Sequence, residues 1–160
     1  MDTIIRKAKV EDMPSILDLI RELAVFEKEP VEVVEVTLED LERGGFGTNP
    51  EFICFVAEVD TEIVGMALVY FRFSTWKGRT VHLEDLVVKD SYRGRGIGDL
   101  LYTEVMKYAL EQGVKRVNWV VLGWNEGAIR FYERTGATVM DEWWQVEMEE
   151  EAIRAFLEQK

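Results

Sequence analysis

The apolar residues of the first half of the chain follow two periods. A stripe at spacings of three and four, from Ile16 to Phe26, is typical of an amphipathic helix packed on a core, whereas short alternating runs predict strands. The first predicted elements are a strand Thr3 to Lys7, a helix Glu11 to Phe26 and a loop Glu27 to Val36. A short helix follows, from the N-cap Thr37 to about Arg43, where Gly44-Gly45 stops it. Two hairpin strands come next, Phe52 to Val59 and Ile63 to Phe73, joined by Asp60 to Glu62.

The second half alternates strand and helix patterns. Its predicted elements are a central strand Val81 to Val88, a helix from Ile97 to about Gln112, a strand Val117 to Leu122, a helix Glu126 to Arg134, a strand Trp143 to Met148 and a terminal helix Glu149 to Gln159. Antiparallel strands followed by strand-helix-strand units predict an α/β (α+β) fold with a mixed sheet and helices on both faces. No repeat or linker divides the sequence, so we expect residues 1–160 to form a single domain.

Charge and cysteine content narrow the functional classes. With 31 acidic and 19 basic residues, the formal charge is -12, which disfavours nucleic-acid and anionic-membrane partners and favours cationic ligands, although acidity is also a common solubility device. The single cysteine, Cys54, fits a reducing compartment. No basic-then-apolar leader follows Met1, and no apolar run approaches the roughly 20 residues of a membrane span. The expected location is therefore the cytoplasm.

Several candidate functional residues lie in one continuous stretch, Leu83 to Gly98. It reads as a strand with two acids, Glu84 and Asp85, then a glycine-rich turn, then a helix start. Glycines allow close approach of a ligand, and the first N–H groups of a helix can bind an anion such as phosphate. An ordinary glycine-rich turn remains the alternative for this pattern alone.

The same stretch resembles the GNAT N-acetyltransferase family. Arg93, Gly96 and Gly98 match the family's acetyl-CoA motif, Arg/Gln-x-x-Gly-x-Gly/Ala, and Trp124-Asn125-Glu126 with Phe131-Tyr132 resembles its second cofactor-side motif. The likeness extends nearly end to end and is closest to the spermidine/spermine (diamine) and thialysine acetyltransferase group. It implies the GNAT fold, acetyl-CoA as cosubstrate and a homodimer, in which Trp143 to Met148 can exchange with or abut a partner strand.

The resemblance implies which residues hold the cofactor. Arg95 departs from the aromatic residue of the group's other members, so only its backbone role is carried over. The cofactor-binding residues expected are Leu86, Val87, Val88, Arg93, Gly94, Arg95, Gly96, Ile97, Gly98, Asp99, Asn125, Glu126, Gly127, Ala128 and Tyr132.

Two catalytic roles follow from the same resemblance. Glu84 is expected to remove a proton from the acceptor amine, directly or through water, and Tyr132 to protonate the departing thiolate. Asp85 points to the same face as Glu84 only if the strand is bulged there. The alternative for Glu84 and Asp85 is that both are merely polar residues of the strand. The alternative for Tyr132 is that it is a core residue packed beside Phe131. The lone strand histidine, His82, can assist proton removal or be structural.

The acceptor is expected to be a small cationic amine, bound by acids and aromatic side chains. Ser74 stands where polyamine-acetylating relatives carry an acid, which leaves room for a shorter amine or thialysine. The substrate-binding residues that the resemblance implies are Phe26, Glu27, Trp76, Glu84, Asp85, Asn118, Trp119, Glu142 and Trp144, although the tryptophans also suit a well-filled core.

The function expected is direct acetyl transfer in a ternary complex. Cys54 lies in an apolar run, where burial would make it inert as a nucleophile, and no cluster of ligating residues has metal spacing, so no metal is expected. A protein N-terminal or lysine acetyltransferase and a catalytically inactive acetyl-CoA sensor are the alternative functions.

Overall fold

Five strands form one sheet whose spatial order follows the chain. The computed structural model describes residues 2–159. Neighbouring strands are antiparallel except for the last pair, which is parallel. The strands are β1 (Thr3–Lys7), β2 (Ile53–Val59), β3 (Glu62–Ser74), β4 (Gly78–Val88) and β5 (Val117–Asn118).

Three helices pack on the two faces of this sheet: α1 (Met13–Phe26), α2 (Leu38–Phe46) and α3 (Ile97–Glu111). Two further helices follow in the chain, α4 (Glu126–Arg134) and α5 (Glu150–Glu158). Helices α1 and α2 pack on one face against a core that includes Cys54, Val56 and Leu68. On the other face α3 meets β2, where the rings of Phe55 and Tyr108 lie 5.5 Å apart. The predicted α/β fold with a mixed, mostly antiparallel sheet is confirmed.

The chain forms two compact units. The first ends at Val120 and contains the sheet with α1, α2 and α3; the second begins at Val121 and contains α4 and α5. The single domain over residues 1–160 stays a prediction.

An arginine joins the start of α1 to the sheet. The guanidinium of Arg6 on β1 pairs with Asp12 at 2.7 Å and with Glu58 on β2 at 2.7 Å. Asp12 also accepts the backbone N–H of Lys9 at 2.7 Å. These bonds satisfy a buried carboxylate that would otherwise cost free energy on folding.

The hairpin between β2 and β3 is tighter than predicted. Glu62 pairs with Val59, so only Asp60 and Thr61 form the turn, both at positive φ. Positive φ at both central residues matches the right-handed twist of the flanking strands.

The predicted end of α2 near Arg43 is wrong, because the helix continues to Phe46. A Cβ on Gly44 or Gly45 would lie 2.8 or 2.9 Å from the ring of Phe52, so these glycines allow a close approach of that ring. Helix termination comes at Gly47, whose N–H donates to the carbonyl of Arg43 at 2.9 Å. The predicted N-cap is confirmed, since the Thr37 hydroxyl accepts from the N–H of Asp40.

Two predicted strands differ from the structure. The strand predicted over Val117 to Leu122 is paired only at Val117 and Asn118, opposite Val81 and His82. The segment Trp143 to Met148 forms no strand, although its alternating pattern predicts one. An alternating pattern needs a neighbouring edge to become a strand, and no strand of the described residues pairs with this segment.

No helix in the described residues is long and apolar enough to span a membrane.

Candidate functional site

A β-bulge in β4 places two acidic side chains on one face of the sheet. Leu68 on β3 lies opposite Asp85, whereas its neighbour Val69 lies opposite Leu83, so Glu84 is the extra residue. Leu68 packs in the core beneath α1 and α2, and residues directly opposite in a sheet share a face. Asp85 therefore faces the side of α1 and α2. The bulge that the sequence required is confirmed.

Glu84 is held on the same face by two neighbours. The hydroxyl of Tyr70 on β3 donates to Glu84 Oε2 at 2.8 Å, and Nε2 of His82 lies 3.4 Å from the same oxygen. Tyr70 lies directly opposite His82, with the two rings 5.0 Å apart. The three side chains form one polar cluster beside the bulge.

The buried ring of His82 has partners on both neighbouring strands. Its Nδ1 lies 3.2 Å from Nη1 of Arg72 on β3 and 2.9 Å from Nδ2 of Asn118 on β5. Asn118, predicted to bind substrate, therefore contacts His82. The parallel pairing of β5 with β4 stops at this contact, immediately before Leu83 and the bulge.

The surroundings of Glu84 and Asp85 shift the pKa values of their carboxyl groups in opposite directions. Hydrogen bonds from His82 and Tyr70 outweigh partial burial and lower the pKa of Glu84. Burial, with the charges of Glu84 and Glu27 nearby, raises the pKa of Asp85 to about 6. Burial also raises the pKa of Glu27. Three predicted acids thus lie within electrostatic reach on one face, with different affinities for a proton.

Tyr70 keeps its proton in this arrangement. Burial, followed by the hydrogen bond to the Glu84 carboxylate, raises the pKa of Tyr70 to about 12. At neutral pH the phenol is therefore a hydrogen-bond donor to Glu84.

The glycine-rich turn leads from the end of β4 into α3. Gly94 and Gly96 have φ of +74° and +80°, and Gly96 is the N-cap of the helix. A Cβ on either would meet nothing within 4 Å, so the space above the turn is open. The first N–H groups of α3, including those of Gly98 and Asp99, lack intrahelical acceptors. An open concavity with oriented donors fits a phosphate group.

The arginines of the turn are bonded to its own backbone and aromatic rings. Arg93 Nε donates to the Val88 carbonyl at 3.1 Å, and its guanidinium lies 4.5 Å from the ring centre of Phe26. Arg95 Nη2 donates to the Ser91 carbonyl at 3.0 Å. Arg93 therefore joins the glycine-rich turn to the C-terminal end of α1, where Phe26 and Glu27 lie.

Glu62 at the start of β3 steadies the approach to the turn. Its carboxylate accepts from Lys89 Nζ at 2.7 Å and from the Tyr92 hydroxyl at 3.0 Å. Both partners lie between β4 and the glycines. The predicted cofactor segment Leu86 to Val88 is thus held at its far end, and no strand of the described residues pairs with it on the side away from β3.

Residues of the second cofactor motif lie on α4. Asn125 is the N-cap of this helix, and its Oδ1 accepts the N–H of Ala128 at 3.2 Å. Glu126 pairs with Arg130 at 3.0 Å. Tyr132 is partly buried, with its ring 5.4 Å from that of Phe131. The structure thus gives Asn125 a local capping role, while the catalytic role of Tyr132 and the cofactor role of Gly127 stay predictions.

The predicted aromatic residues of the acceptor site lie in different surroundings. Trp119 packs edge-to-face against Tyr102 of α3, with ring centres 5.8 Å apart. Trp76, in the β3–β4 loop, is 79% exposed, and Trp144 is 88% exposed. Glu142 is also exposed. Their roles in substrate binding stay predictions.

Sequence reasoning missed Tyr70 and Arg72, the β3 partners of Glu84 and His82. A signal was present in the hairpin register. Ser74 pairs with Gly78, and counting back from that turn places Tyr70 opposite His82 and Arg72 opposite Thr80.

The buried position predicted for Cys54 is confirmed. Its Sγ lies 3.6 Å from the Phe55 carbonyl and 4.0 Å from Met66 Sδ, and burial raises its pKa. A thiol in this state is not a nucleophile at neutral pH. Within residues 2–159, no group of three or more His, Cys, Asp or Glu side chains is arranged to hold a metal ion.

Comparison with known proteins identifies the family. The model of the acetyltransferase (GNAT) family matches residues 14–137. A thialysine N-epsilon-acetyltransferase from Sus scrofa is 41% identical, covering 94% of this chain and 95% of its own length. A spermidine/spermine N(1)-acetyltransferase-like protein from Homo sapiens is 37% identical over 83% of this chain and 20% of its own.

A solved structure has the same fold. An integron cassette protein from the mobile metagenome of V. cholerae superimposes with a TM-score of 0.78 at 20% identity, covering 98% of both chains. The family match covers most of the chain, and the first relative is similar over nearly its whole length. The chain therefore belongs to the GNAT family and is an acetyltransferase.

Proposed function

We propose that this enzyme transfers the acetyl group of acetyl-CoA to a primary amine of a small cationic acceptor, a diamine, polyamine or thialysine-like compound. The observation that carries this proposal is the bulge of β4, which places Glu84 and Asp85 on one face at the start of the segment that leads into the glycine turn. Acids for an ammonium group and donors for a phosphate thus belong to one continuous piece of chain.

The cofactor role of the turn rests on its shape. Gly94 and Gly96 adopt positive φ with open space above them, and α3 begins at once with unsatisfied N–H groups. Acetyl-CoA supplies the activated acetyl thioester. The N–H groups of Gly96 to Asp99 would hold its pyrophosphate, and the unpaired edge of Leu86 to Val88 would line its acyl-bearing arm.

Charge supports a cationic acceptor. Glu27, Glu84 and Asp85 give the acceptor face a negative potential, and the net charge of -12 extends it over the molecule. The relatives named above act, by their names, on thialysine and on spermidine or spermine. A small amine with a flexible apolar stem fits this setting better than a neutral or anionic acceptor.

Asp85 is the better proton acceptor of the acidic pair. An alkylammonium has a pKa near 10.4, so proton transfer to a carboxylate of pKa about 6 costs about 6 kcal/mol, and to an ordinary glutamate about 8 kcal/mol. Glu84 holds its proton less tightly still, since its pKa is lowered. We therefore propose that Glu84 binds the ammonium and Asp85 removes the proton, a division that differs from the base role expected for Glu84.

Acetyl transfer proceeds by direct attack in a ternary complex. The buried, protonated Cys54 gives no covalent route, and it is the sole cysteine of the sequence. Tyr132, which matches the family motif, would protonate the departing thiolate.

The enzyme would act as a homodimer in the cytoplasm. Phe73 and Trp76 at the tip of the β3–β4 hairpin are about 80% exposed, an uncommon state for large apolar side chains in a monomer. Six residue steps along β4, at roughly 3.3 Å each, place Glu84 about 20 Å from Gly78 at this tip. Trp76, at the same tip, would therefore line the acceptor site of a partner subunit.

An acceptor panel tests the proposed function. Small diamines, spermidine, thialysine and a lysine peptide compete at fixed acetyl-CoA, and we expect a small amine to be acetylated preferentially, with intersecting initial-velocity lines. Parallel lines would indicate a covalent intermediate. Preference for the peptide would favour a protein acetyltransferase, and acetyl-CoA binding without turnover of any amine would favour a sensor.

A further inference from the structure

His82 is a buried polar residue with a defined set of partners. Its Nδ1 faces Nη1 of Arg72 at 3.2 Å and Nδ2 of Asn118 at 2.9 Å. A guanidinium nitrogen carries only donor hydrogens. A hydrogen on Nδ1 would point at the N–H groups of both neighbours, so Nδ1 accepts and the ring hydrogen lies on Nε2.

The other ring nitrogen, Nε2, lies beside the acidic pair. Nε2 lies 3.4 Å from Glu84 Oε2, and the Tyr70 hydroxyl donates to the same oxygen at 2.8 Å. The Tyr70 hydrogen bond and the Nε2 contact meet on one oxygen of a carboxylate whose side chain is half exposed, and together they restrain it. Without them, that side chain would keep rotamer freedom that substrate binding would then have to remove.

We propose that His82 is a positioning residue that, held by Arg72 and Asn118, fixes one oxygen of Glu84 together with Tyr70 and so leaves the other oxygen to bind the ammonium group of the acceptor. This inference rests on the proposed function. The arrangement links three adjacent strands, because Arg72 and Tyr70 are on β3, His82 and Glu84 on β4 and Asn118 on β5. Contacts with all three strands thereby restrain the exposed side chain of Glu84 at the bulge.

The role requires one acceptor and one donor on opposite sides of a buried side chain. Neutral histidine meets this requirement, and glutamine, with its carbonyl oxygen and amide N–H, meets it too. Phenylalanine fills a similar volume with neither. The pair His82→Gln and His82→Phe therefore separates hydrogen bonding from packing.

The ring tautomer tests the network without any turnover. His82 is the only histidine of the sequence, so tag-free protein labelled with ¹⁵N-histidine gives one pair of ring nitrogen signals. We expect a protonated Nε2 and an unprotonated, hydrogen-bonded Nδ1. A hydrogen on Nδ1 in the folded protein would overturn the network.

Kinetics tests the positioning role. We expect His82→Phe to lower kcat/KM for the amine about tenfold or more, the loss of one hydrogen bond to a charged group, while KM for acetyl-CoA stays within about twofold. His82→Gln should retain the wild-type value within about threefold. Thr80→Val is the matched control, since it removes a buried hydroxyl from β4, the strand of His82, where it donates to the carbonyl of Arg72 on β3.

Two kinetic results would overturn the inference. They are a loss in His82→Gln as large as that in His82→Phe, which would indicate packing alone, and an unchanged kcat/KM in His82→Phe. A wild-type enzyme that acetylates no amine would instead overturn the proposed function, and the tautomer measurement would still decide the network.

Discussion

At the scale of single residues, two adjacent carboxyl groups of similar chemistry acquire opposite properties from their surroundings. Glu84 accepts hydrogen bonds and is a stronger acid than usual, whereas Asp85 is partly buried near other negative charges and is a weaker one. Pairs of titratable groups whose environments separate their pKa values commonly divide anion and base roles in this way. The bulge makes the division possible, because it turns both side chains to one face.

Asp85→Asn should stabilise the protein while impairing it as an enzyme. The folded-state pKa of Asp85, about 6, lies above the value of about 3.9 expected for the unfolded chain, so the charged form costs stability at neutral pH. This cost disappears as the pH falls through 6 toward 4. We expect the free energy of unfolding at pH 7.5 to rise by about 1–3 kcal/mol in urea titrations.

The control for this prediction is the same measurement below pH 4. The carboxyl group is then largely protonated in both states, so the variant and the wild type should have nearly equal stability. A variant less stable than the wild type at pH 7.5 would show that the Asp85 carboxylate stabilises the fold.

At the scale of elements, close contact among β3, β4 and α3 positions the glycine-rich turn. A Cβ on Gly65 of β3 would lie 2.9 Å from the Val87 carbonyl and 3.2 Å from both Leu101 Cδ1 and Val88 Cγ2. Val88 in turn accepts the bond from Arg93 that holds the glycine turn. Gly65 therefore permits the close approach of the three elements around the predicted cofactor segment.

Gly65→Ala should impair cofactor binding more than acceptor binding. The added methyl group would push β4 and α3 apart, at a cost of about 1–3 kcal/mol in unfolding free energy. We expect KM for acetyl-CoA to rise several-fold with a smaller change in KM for the amine. Gly123→Ala is the matched control, because a Cβ there meets nothing within 4 Å. Equal effects on both KM values would contradict the assignment.

Prediction from sequence succeeded where local signals decide the element. The bounds of β1 and α4 are the predicted ones, and Thr37 caps α2 as expected. Prediction from sequence failed where pairing with a residue distant in the chain determines the element. The pairing of β5 ends at the bulge of β4, which no pattern within β5 encodes.

The residues of the candidate site show the same difference between local sequence signals and strand pairing. The acids and the glycine turn were predicted from the motif, whereas Tyr70 and Arg72 required the register of β3 against β4. Their contacts with Glu84 and His82 depend on strand pairing, which a single sequence specifies only through the hairpin turn.

At the scale of the whole molecule, exposed apolar surface favours self-association. Phe73 is 81% exposed beside Trp76, and the segment Trp143 to Met148 carries further exposed large side chains without a strand partner in the described chain. Exposed apolar surfaces of this kind are commonly buried between the subunits of stable oligomers.

We expect sedimentation analysis to give twice the chain mass of 18.6 kDa. The double substitution Phe73→Ser and Trp76→Ser should weaken the dimer and raise KM for the amine, because a partner's Trp76 would no longer line the acceptor site. Leu110→Ser is the matched control, since Leu110 on α3 is also 81% exposed. A monomeric wild-type enzyme with full activity would contradict the dimer.

The pH dependence of kcat/KM for a small diamine, at saturating acetyl-CoA, tests the acidic pair most directly. Asp85 accepts a proton only above its pKa, so activity should fall as the pH drops through about 6. We expect Asp85→Asn to lose this limb together with about 10²-fold of kcat/KM, and Glu84→Gln to move the limb to lower pH, since a negative neighbour is removed. An Asp85→Asn enzyme that keeps the wild-type limb and rate would contradict the account.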